Sequence, residues 1–598
     1  MGSRIAAHFA NAGVPALLLD VVLPGESDRS AAARKGLEAA AKQRPPAFFV
    51  PAGMSMVTPG NFEDDLNKLS DCDWIIEAVV ENLDVKRDIW ARVDQVRSPG
   101  TIASTNTSGI PLATLAEGFS SDLRAHFLGT HFFNPPRYLH LLELIPGPDT
   151  TPEVLGFVAD YCDRQLGKGV VPCKDTPNFI ANRLGSMFGS ITYRAMQEFD
   201  LSVEEVDLLT GPLIGVPRTA TFRLVDLIGL DTWTYVMKNL YDLQPQDPWR
   251  ESVLPPPFFQ AMMDRKLLGD KTGAGFYKRV GPAKELHAID WRTLEYHPAA
   301  TPSFPQLAAL AKVADLPHRL RSLVQADGVV GKFLWRVLSD YVEYAASLVP
   351  EISDRIVEID RAMRWGYGHT FGPFELWDTL GFSTTAQRMI AERRTLPPIA
   401  QAIFDSDEVG FYRDTAVEGE PIVEYFDLAT RSFRSLELTP GVLVLSDLKK
   451  ARGVLERNDW ASLVDLRDGV LCLELHGPKD TVDTPTIEMV KAAISLLSTD
   501  YDALVIAGEG ADFANGTNLQ SLWTLIEAEH WTELASRLET WHEVLLNLKY
   551  APKPVIAAAY GRTSGIGYDL LQHTCAVQVH AELYLGTNET SYGLIPLG

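Results

Sequence analysis

The sequence is short of several things, and each shortage excludes something. Only five cysteines occur in 598 residues, scattered at Cys72, Cys162, Cys173, Cys472 and Cys575. Their spacing offers neither a disulfide framework nor a zinc or other metal site, and suits a reducing, cytoplasmic compartment. Positive charge is scarce: 54 Lys and Arg stand against 78 Asp and Glu, and the net charge of −24 argues against a nucleic-acid-binding surface. No apolar run reaches the roughly 18 residues that span a bilayer, and no basic-then-apolar leader opens the chain. What remains is 46% hydrophobic and 22% charged, a globular composition at a length that requires several domains.

The pattern along the chain predicts a multidomain α/β and α protein. Over residues 1–174, "ALLLD", "DWIIEAVV", "GTIAST" and "GTHFF" are apolar throughout and alternate with helical stretches. That predicts a Rossmann-like, doubly wound parallel sheet. Residues 175–280 turn helical, 281–324 read as a connector, and 325–395 read as a second helical domain. An internal repeat joins the helical parts: "VDLLTGPLIGVPRTATFRLVDLIGLD" is echoed by "IDRAMRWGYGHTFGPFELWDTLGF", with Asp207 matching Asp360 and Asp226 matching Asp378. Residues 396–460 read as a linker with a small hairpin at "YFDLATRSFRSLEL", and strand–helix alternation resumes over 461–598. The opening "MGSRIAAHFANAGVPALLLD" runs helix then strand, where such a sheet begins with a strand and a glycine turn. The first strand is therefore expected to be missing. The last domain stops at "YGLIPLG" before its pattern closes, so truncation at both ends is expected, which would weaken cofactor binding and could leave this chain inactive.

Dinucleotide pyrophosphates bind where glycines admit close approach and a helix N-terminus offers free N–H groups. Gly2 fits the last glycine of a G-x-G-x-x-G turn, and Asp20 closes a strand 18 residues later, where an acid accepts ribose hydroxyls. No arginine follows in "DVVLPGES", which favours NAD over NADP. An aspartate in that position also serves as a turn residue or helix cap. Oxidising a secondary alcohol requires a base, and histidine suits it because its unperturbed pKa lies near 6.5. His131 ends an apolar strand, at the edge where open α/β sheets bind ligands. Pro135 and Pro136 turn the chain, and Glu143 follows 12 residues after the histidine, placed to orient the imidazole. A histidine capping a strand and a solvated glutamate would share that spacing.

Six motifs occur in register: "AVVENLDVKRDIW", "STNTSGIPL", "THFFNPPRYLHLLELI", "KDTPNFIANR", "TATFRLVDLIGLDT" and "GDKTGAGFYK". Together they resemble the L-3-hydroxyacyl-CoA dehydrogenase family over about residues 1–280, with the second helical copy extending the likeness to near 385. The resemblance implies oxidation of 3-hydroxyacyl-CoA with NAD in fatty-acid β-oxidation. It makes His131 the general base, Glu143 its partner, and Ser108 and Asn182 polar groups holding substrate. Glu81, Lys86, Ser108, Asn134 and Lys271 match positions that contact NAD. In the family, single-copy members pair through their helical domains, so the second copy reads as packing in place of a partner.

Residues 461–598 resemble the first part of a crotonase (enoyl-CoA hydratase/isomerase) domain, on "ALVIAGEGADFANGTNL" and "KPVIAAAYGRTSGIGYDL". The resemblance makes the backbone amides of Thr517 and Ile566 an oxyanion hole for a thioester enolate. Glu589 and Asp569 match the two carboxylates of hydration, with Asp569 one methylene short and Ile566 standing between Gly565 and Gly567 where the family often has three glycines. The whole resembles bacterial-type fusions of the two activities. That implies acyl-CoA substrates, a thiolase partner and a homo-oligomer when full length. An anabolic 3-hydroxybutyryl-CoA dehydrogenase and a non-catalytic acyl-CoA-binding protein are the alternatives.

Overall fold

The structure is a computed structural model, and it describes residues 1–406, 408–417, 420–437 and 441–596. The chain divides into two compact units, Met1–Arg413 with Tyr425–Arg434, and Asp414–Glu424 with Ser435–Gly598.

In the first unit the strands expected over residues 1–174 form two sheets rather than one. β1 (Ala16–Asp20) and β2 (Val57–Asn61) pair in parallel, and β3 (Trp74–Glu77), β4 (Ile102–Thr105), β5 (Phe127–Phe132), β6 (Leu141–Pro146) and β7 (Gly169–Pro172) follow in that order in a five-stranded sheet. That sheet is parallel except at β5–β6, which is antiparallel. The sequence predicts parallel pairing throughout, but residues 133–140 are too few for a crossover and only a hairpin joins strands at that distance. The helix Gly2–Asn11 serves both sheets. Its Ala6, Ala7 and Ala10 pack beside Ala16 and Leu18, while Ile5 and Phe9 pack with Leu128, Phe132 and Leu142. Gly2 starts this helix between the sheets, where an added Cβ would lie 3.7 Å from Ala78 Cβ and 3.8 Å from Leu18 Cδ1.

The helical part centres on the helix Ala181–Glu198, buried along most of its length with Arg183, Ser186, Ser190 and Thr192 among its buried residues. One hydrogen-bond arrangement occurs twice. Asp207 accepts the amides of Thr221, Phe222 and Arg223 and the Tyr277 hydroxyl, while Asp226 accepts the amides of Phe276 and Tyr277. Asp360 likewise accepts the amides of Phe374 and Glu375 and the Tyr412 hydroxyl, while Asp378 accepts those of Phe411 and Tyr412. Each pair of aspartates thus satisfies amides at a helix start and at the following strand. The segment read as a connector carries structure of its own: strands Tyr277–Val280, Glu285–Ile289 and Tyr296–Pro298 form an antiparallel sheet, and Leu316–Val324 is a helix. Within 396–460 lie the helix Pro398–Asp405, a three-stranded sheet of Tyr412–Val417, Glu420–Asp427 and Ser432–Ser435, and the helix Leu445–Arg452.

The second unit holds a six-stranded sheet running from Glu456–Arg457 through Ala461–Asp465, Val470–Leu475, Ala503–Gly508 and Val555–Ala559 to Ala576–Val579. A smaller parallel sheet joins Ala514–Asn515, Arg562–Ser564 and Tyr584–Gly586. Their core includes Leu463, Leu473, Leu504, Ile506 and Val555 under the helices Thr484–Thr499 and Trp531–Lys549. Among the described residues no helix is long and apolar enough to cross a membrane, and no His/Cys/Asp/Glu cluster could hold a metal ion.

Candidate active site

The β5–β6 hairpin sets His131 directly opposite Glu143. Nδ1 of His131 lies 2.7 Å from Glu143 Oε2, with the histidine 4% exposed and the glutamate fully buried. A carboxylate only accepts hydrogen bonds, so Nδ1 carries the proton and Nε2 keeps its lone pair. Nε2 has no hydrogen-bond partner among the described residues. The other oxygen, Oε1, accepts the amides of Ile180 at 3.1 Å and Ala181 at 2.8 Å, at the start of the helix Ala181–Glu198. A buried anion there is favoured by the free amides and the helix dipole together. Phe133 and Phe179 flank the imidazole, with ring centres 4.6 and 5.7 Å away.

Asn182, next along the same helix, accepts the Tyr367 hydroxyl at 3.4 Å. Asn134 stands three residues beyond His131 on the exposed turn. The charged pair Glu81 and Lys86 is not an exposed helix face. Lys86 is 1% exposed, 2.8 Å from Glu77 Oε1 and 3.3 Å from Glu81 Oε2. Glu81 then accepts the Thr107 hydroxyl at 2.6 Å and the amides of Ser108 at 2.9 Å and Gly109 at 3.2 Å. The ion pair therefore shapes the loop after β4 that presents Ser108. An added Cβ on Gly109 would lie 2.4 Å from Asn178 Oδ1, so only glycine lets this loop approach the helical part. Lys271 pairs with Asp231. One turn along, the hydroxyl of Tyr235 reaches the backbone oxygen of Glu81 at 3.3 Å. Glu77, Thr107, Gly109, Phe179 and Tyr367 were not legible as site residues, and only the position of "FIANR" after an apolar hairpin hinted at the Ile180 and Ala181 amides.

Three features at the ends of β1 and β3 have the chemistry that a dinucleotide needs. Asp20 ends β1 exposed, and among the described residues its carboxylate accepts the amide of Val21. Val21 and Val80, at the carboxyl ends of β1 and β3, are 55% and 66% exposed and offer apolar surface to flat rings. The first turn of the helix at Gly2 has no side-chain cap, which leaves amides free for a phosphate.

In the second unit, Thr517 and Ile566 line one small cavity with Asp483, Arg537 and Trp541. The backbone bonds beside Thr517 use Gly516 O and the Asn518 amide, and the Thr517 N–H has no partner among the described residues. Asp569 and Glu589 are both buried, and Asp569 Oδ2 and Glu589 Oε2 have no hydrogen-bond partner among the described residues. Burial, and then the charge of Glu589, push Asp569 up to about 6. A Cβ at Gly565 would lie 2.8 Å from Glu589 Oε1, which brings that carboxylate beside the start of the helix Ile566–Gln572.

A buried histidine oriented by a carboxylate, on a largely parallel sheet that follows a parallel β1–β2 pair, is consistent with a nicotinamide-dependent dehydrogenase. The chain belongs to the 3-hydroxyacyl-CoA dehydrogenase family: its NAD-binding domain matches residues 1–176, and its C-terminal domain matches 179–279 and 331–409. A probable 3-hydroxyacyl-CoA dehydrogenase of Bacillus subtilis is 39% identical over the whole chain, covering 76% of that protein. One from Deinococcus radiodurans is 45% identical over 48% of this chain and 81% of its own length. A putative fatty acid oxidation complex trifunctional enzyme of Rickettsia felis is 30% identical over the whole chain and 78% of its own length. The fold is also that of a 3-hydroxybutyryl-CoA dehydrogenase from Escherichia coli, at a TM-score of 0.51 and 22% identity over 68% of this chain and 96% of that one.

Proposed function

We propose that His131 is the general base of an oxidation that converts (S)-3-hydroxyacyl-CoA to 3-oxoacyl-CoA. The observation that carries this reading is the buried Nδ1–Glu143 contact of 2.7 Å, anchored by two helix-start amides. His131 Nε2 takes the hydroxyl proton as the C3–H bond breaks and the C3=O bond forms. NAD, when bound, accepts the hydride. Glu143 keeps the proton on Nδ1 and stabilises the imidazolium that forms, a task that needs a fixed carboxylate rather than a mobile one. Ser108 and Asn182 hold the substrate oxygen and thioester end. Gly2, Asp20, Glu81, Lys86, Ser108, Asn134 and Lys271 form the NAD site, with Lys86 acting by holding Glu81. Consumption of NADH with acetoacetyl-CoA, the reverse reaction, tests the reading. Tight acyl-CoA binding with no NADH consumption would instead support a binding protein.

The second unit supports a second activity. Asp569 and Glu589 are a buried carboxylate pair with unmatched oxygens, beside a cavity lined by Thr517 and Ile566. That combination suits a crotonase domain in which two amides stabilise an enolate and two carboxylates handle water and the C2 proton. Hydration of crotonyl-CoA, lost in Glu589→Gln, tests it, and no hydration by the unsubstituted protein would refute it. A cytoplasmic homo-oligomer working beside a thiolase completes the proposal; the Rickettsia felis relative's name, a fatty acid oxidation complex trifunctional enzyme, supports only its working within a complex.

A further inference from the structure

The second helical copy reads from the sequence as packing alone, yet one of its helices reaches both supports of Glu143. The helix Ile356–Tyr367 packs at once on β6, on β7 and on the helix Ala181–Glu198. β6 carries Glu143 itself, and the Ile180 and Ala181 amides at the start of the other helix donate to Glu143 Oε1. Three consecutive residues make the contact. Trp365 lies over the β6–β7 pair: its ring centre is 4.9 Å from that of His140, and an added Cβ on Gly169 would lie 2.4 Å from Trp365 Cε3. Gly169 pairs with Leu141, on the same strand as Glu143 and two residues before it. Gly366 stands between strand and helix start, where an added Cβ would lie 2.6 Å from Leu141 Cδ2 and 3.7 Å from Ala181 Cβ. Tyr367 donates its hydroxyl to Asn182 Oδ1 at 3.4 Å, and an added Cβ on Gly185 would lie 2.3 Å from Tyr367 Cζ. A further grip falls on Arg183, which is 1% exposed. Its Nε donates to the Tyr344 hydroxyl at 3.1 Å and its guanidinium pairs with Glu351, both from the second copy, and with Asp247 at 3.0 Å. The Tyr344 hydroxyl in turn donates to Asp247 at 2.8 Å, so the buried charge is compensated from both copies.

We propose that the second helical copy clamps the His131–Glu143 pair, with Trp365, Tyr367 and Arg183 as positioning residues that keep the Glu143 strand and the Ile180 and Ala181 amides in register. The proposal rests on the dehydrogenase reading for the role of His131. Glu143 stabilises an imidazolium only while its carboxylate stays fixed, and the amides that fix it come from a different element, across 37 residues of chain. Close-packed elements that touch a common third helix cannot slide independently. A displacement of about 1 Å near the reacting groups costs on the order of a hundredfold in rate, so a clamp at this point acts on kcat. The positions proposed for NAD on β1 and β3 lie on other elements and are untouched by it. A copy that only took the place of a dimer partner would add stability and leave the kcat of the folded protein unchanged.

The test is hydrogen exchange read by mass spectrometry, together with steady-state kinetics, on the full chain and on Trp365→Ala. Exchange should quicken by about tenfold or more in peptides covering residues 139–146 and 177–186, and stay within about twofold in peptides covering 190–198. The kcat for 3-hydroxybutyryl-CoA should fall by about tenfold or more, with KM for NAD within about twofold. Trp365→Phe, which returns an aromatic ring to the face of Gly169, should recover most of both losses. Exchange that quickens equally along the whole helix reports a general loss of stability and overturns the proposal. An unchanged kcat in the folded Trp365→Ala protein overturns it as well. Should Trp365→Ala misfold, Tyr344→Phe removes a single hydroxyl from the Arg183 network and meets the same two criteria over residues 177–186. NADH formation by the unsubstituted protein is scored separately. Its absence would sink the dehydrogenase reading, while the exchange pattern still decides the clamp.

Discussion

Replacing Glu143 by glutamine changes one proton position within an almost unchanged volume. Glu143 is fully buried and makes three contacts: His131 Nδ1 at 2.7 Å, the Ala181 amide at 2.8 Å and the Ile180 amide at 3.1 Å. In Glu143→Gln the two helix-start amides still require an acceptor, so the amide oxygen turns toward them and the NH2 group faces the imidazole. Nδ1 must then accept, the ring proton moves to Nε2, and the lone pair that takes the substrate proton is lost. A comparable carboxylate-to-amide change in a Ser-His-Asp protease lowers kcat about 10⁴-fold with geometry intact. We expect a loss of about 10³- to 10⁴-fold here, or about 4–5.5 kcal/mol of transition-state stabilisation at 1.36 kcal/mol per tenfold. KM should change little and the thermal midpoint only slightly, because all three contacts persist. NADH formation from 3-hydroxybutyryl-CoA, alongside a melting curve, is the assay. A kcat within about threefold of the unsubstituted protein, with the fold intact, would refute the orienting role.

Lys86→Met leaves Glu77 a buried carboxylate without its ammonium partner, and should destabilise the protein by about 3–5 kcal/mol in a denaturant titration. Asp20→Ala should weaken NAD about tenfold and narrow the preference over NADP, measured by fluorescence titration of both cofactors. Asp569 has a pKa raised to about 6 in the folded state against 3.8 for the free group. The folded state therefore holds an extra proton between about pH 4 and 6, and the stability of the second unit should fall as pH rises through that window. Glu589→Gln removes the like charge and should move Asp569 back toward 3.8, leaving the part due to burial, as followed by NMR titration.

How far the sequence was legible depended on chain distance. His131 and Glu143 could be paired from their spacing because one short hairpin lies between them, and a hairpin fixes register. The duplicated aspartates at 207 and 226, and at 360 and 378, were visible because the internal repeat aligns them. Their partners Tyr277 and Tyr412 were not, since those contacts close over 70 and 52 residues. Glu81 and Lys86 stand at near-helical spacing in the sequence, but their ion pair and the burial of Lys86 were invisible, because helical spacing alone looks the same on a solvated face. Tyr367 lies 185 residues from Asn182, and nothing local marks it. The division of the N-terminal strands into two sheets likewise turns on which strands pair, which apolar runs do not specify.

The central claim is that this chain oxidises a 3-hydroxyacyl thioester with His131 as base. The direct measurement supplies NAD and 3-hydroxybutyryl-CoA carrying deuterium at C3 to the purified protein and to His131→Ala. The account predicts deuterium on the nicotinamide ring with the unsubstituted protein, and turnover lowered about 10²- to 10⁴-fold in the variant. Undiminished deuterium transfer by His131→Ala, or none by either protein, would contradict it.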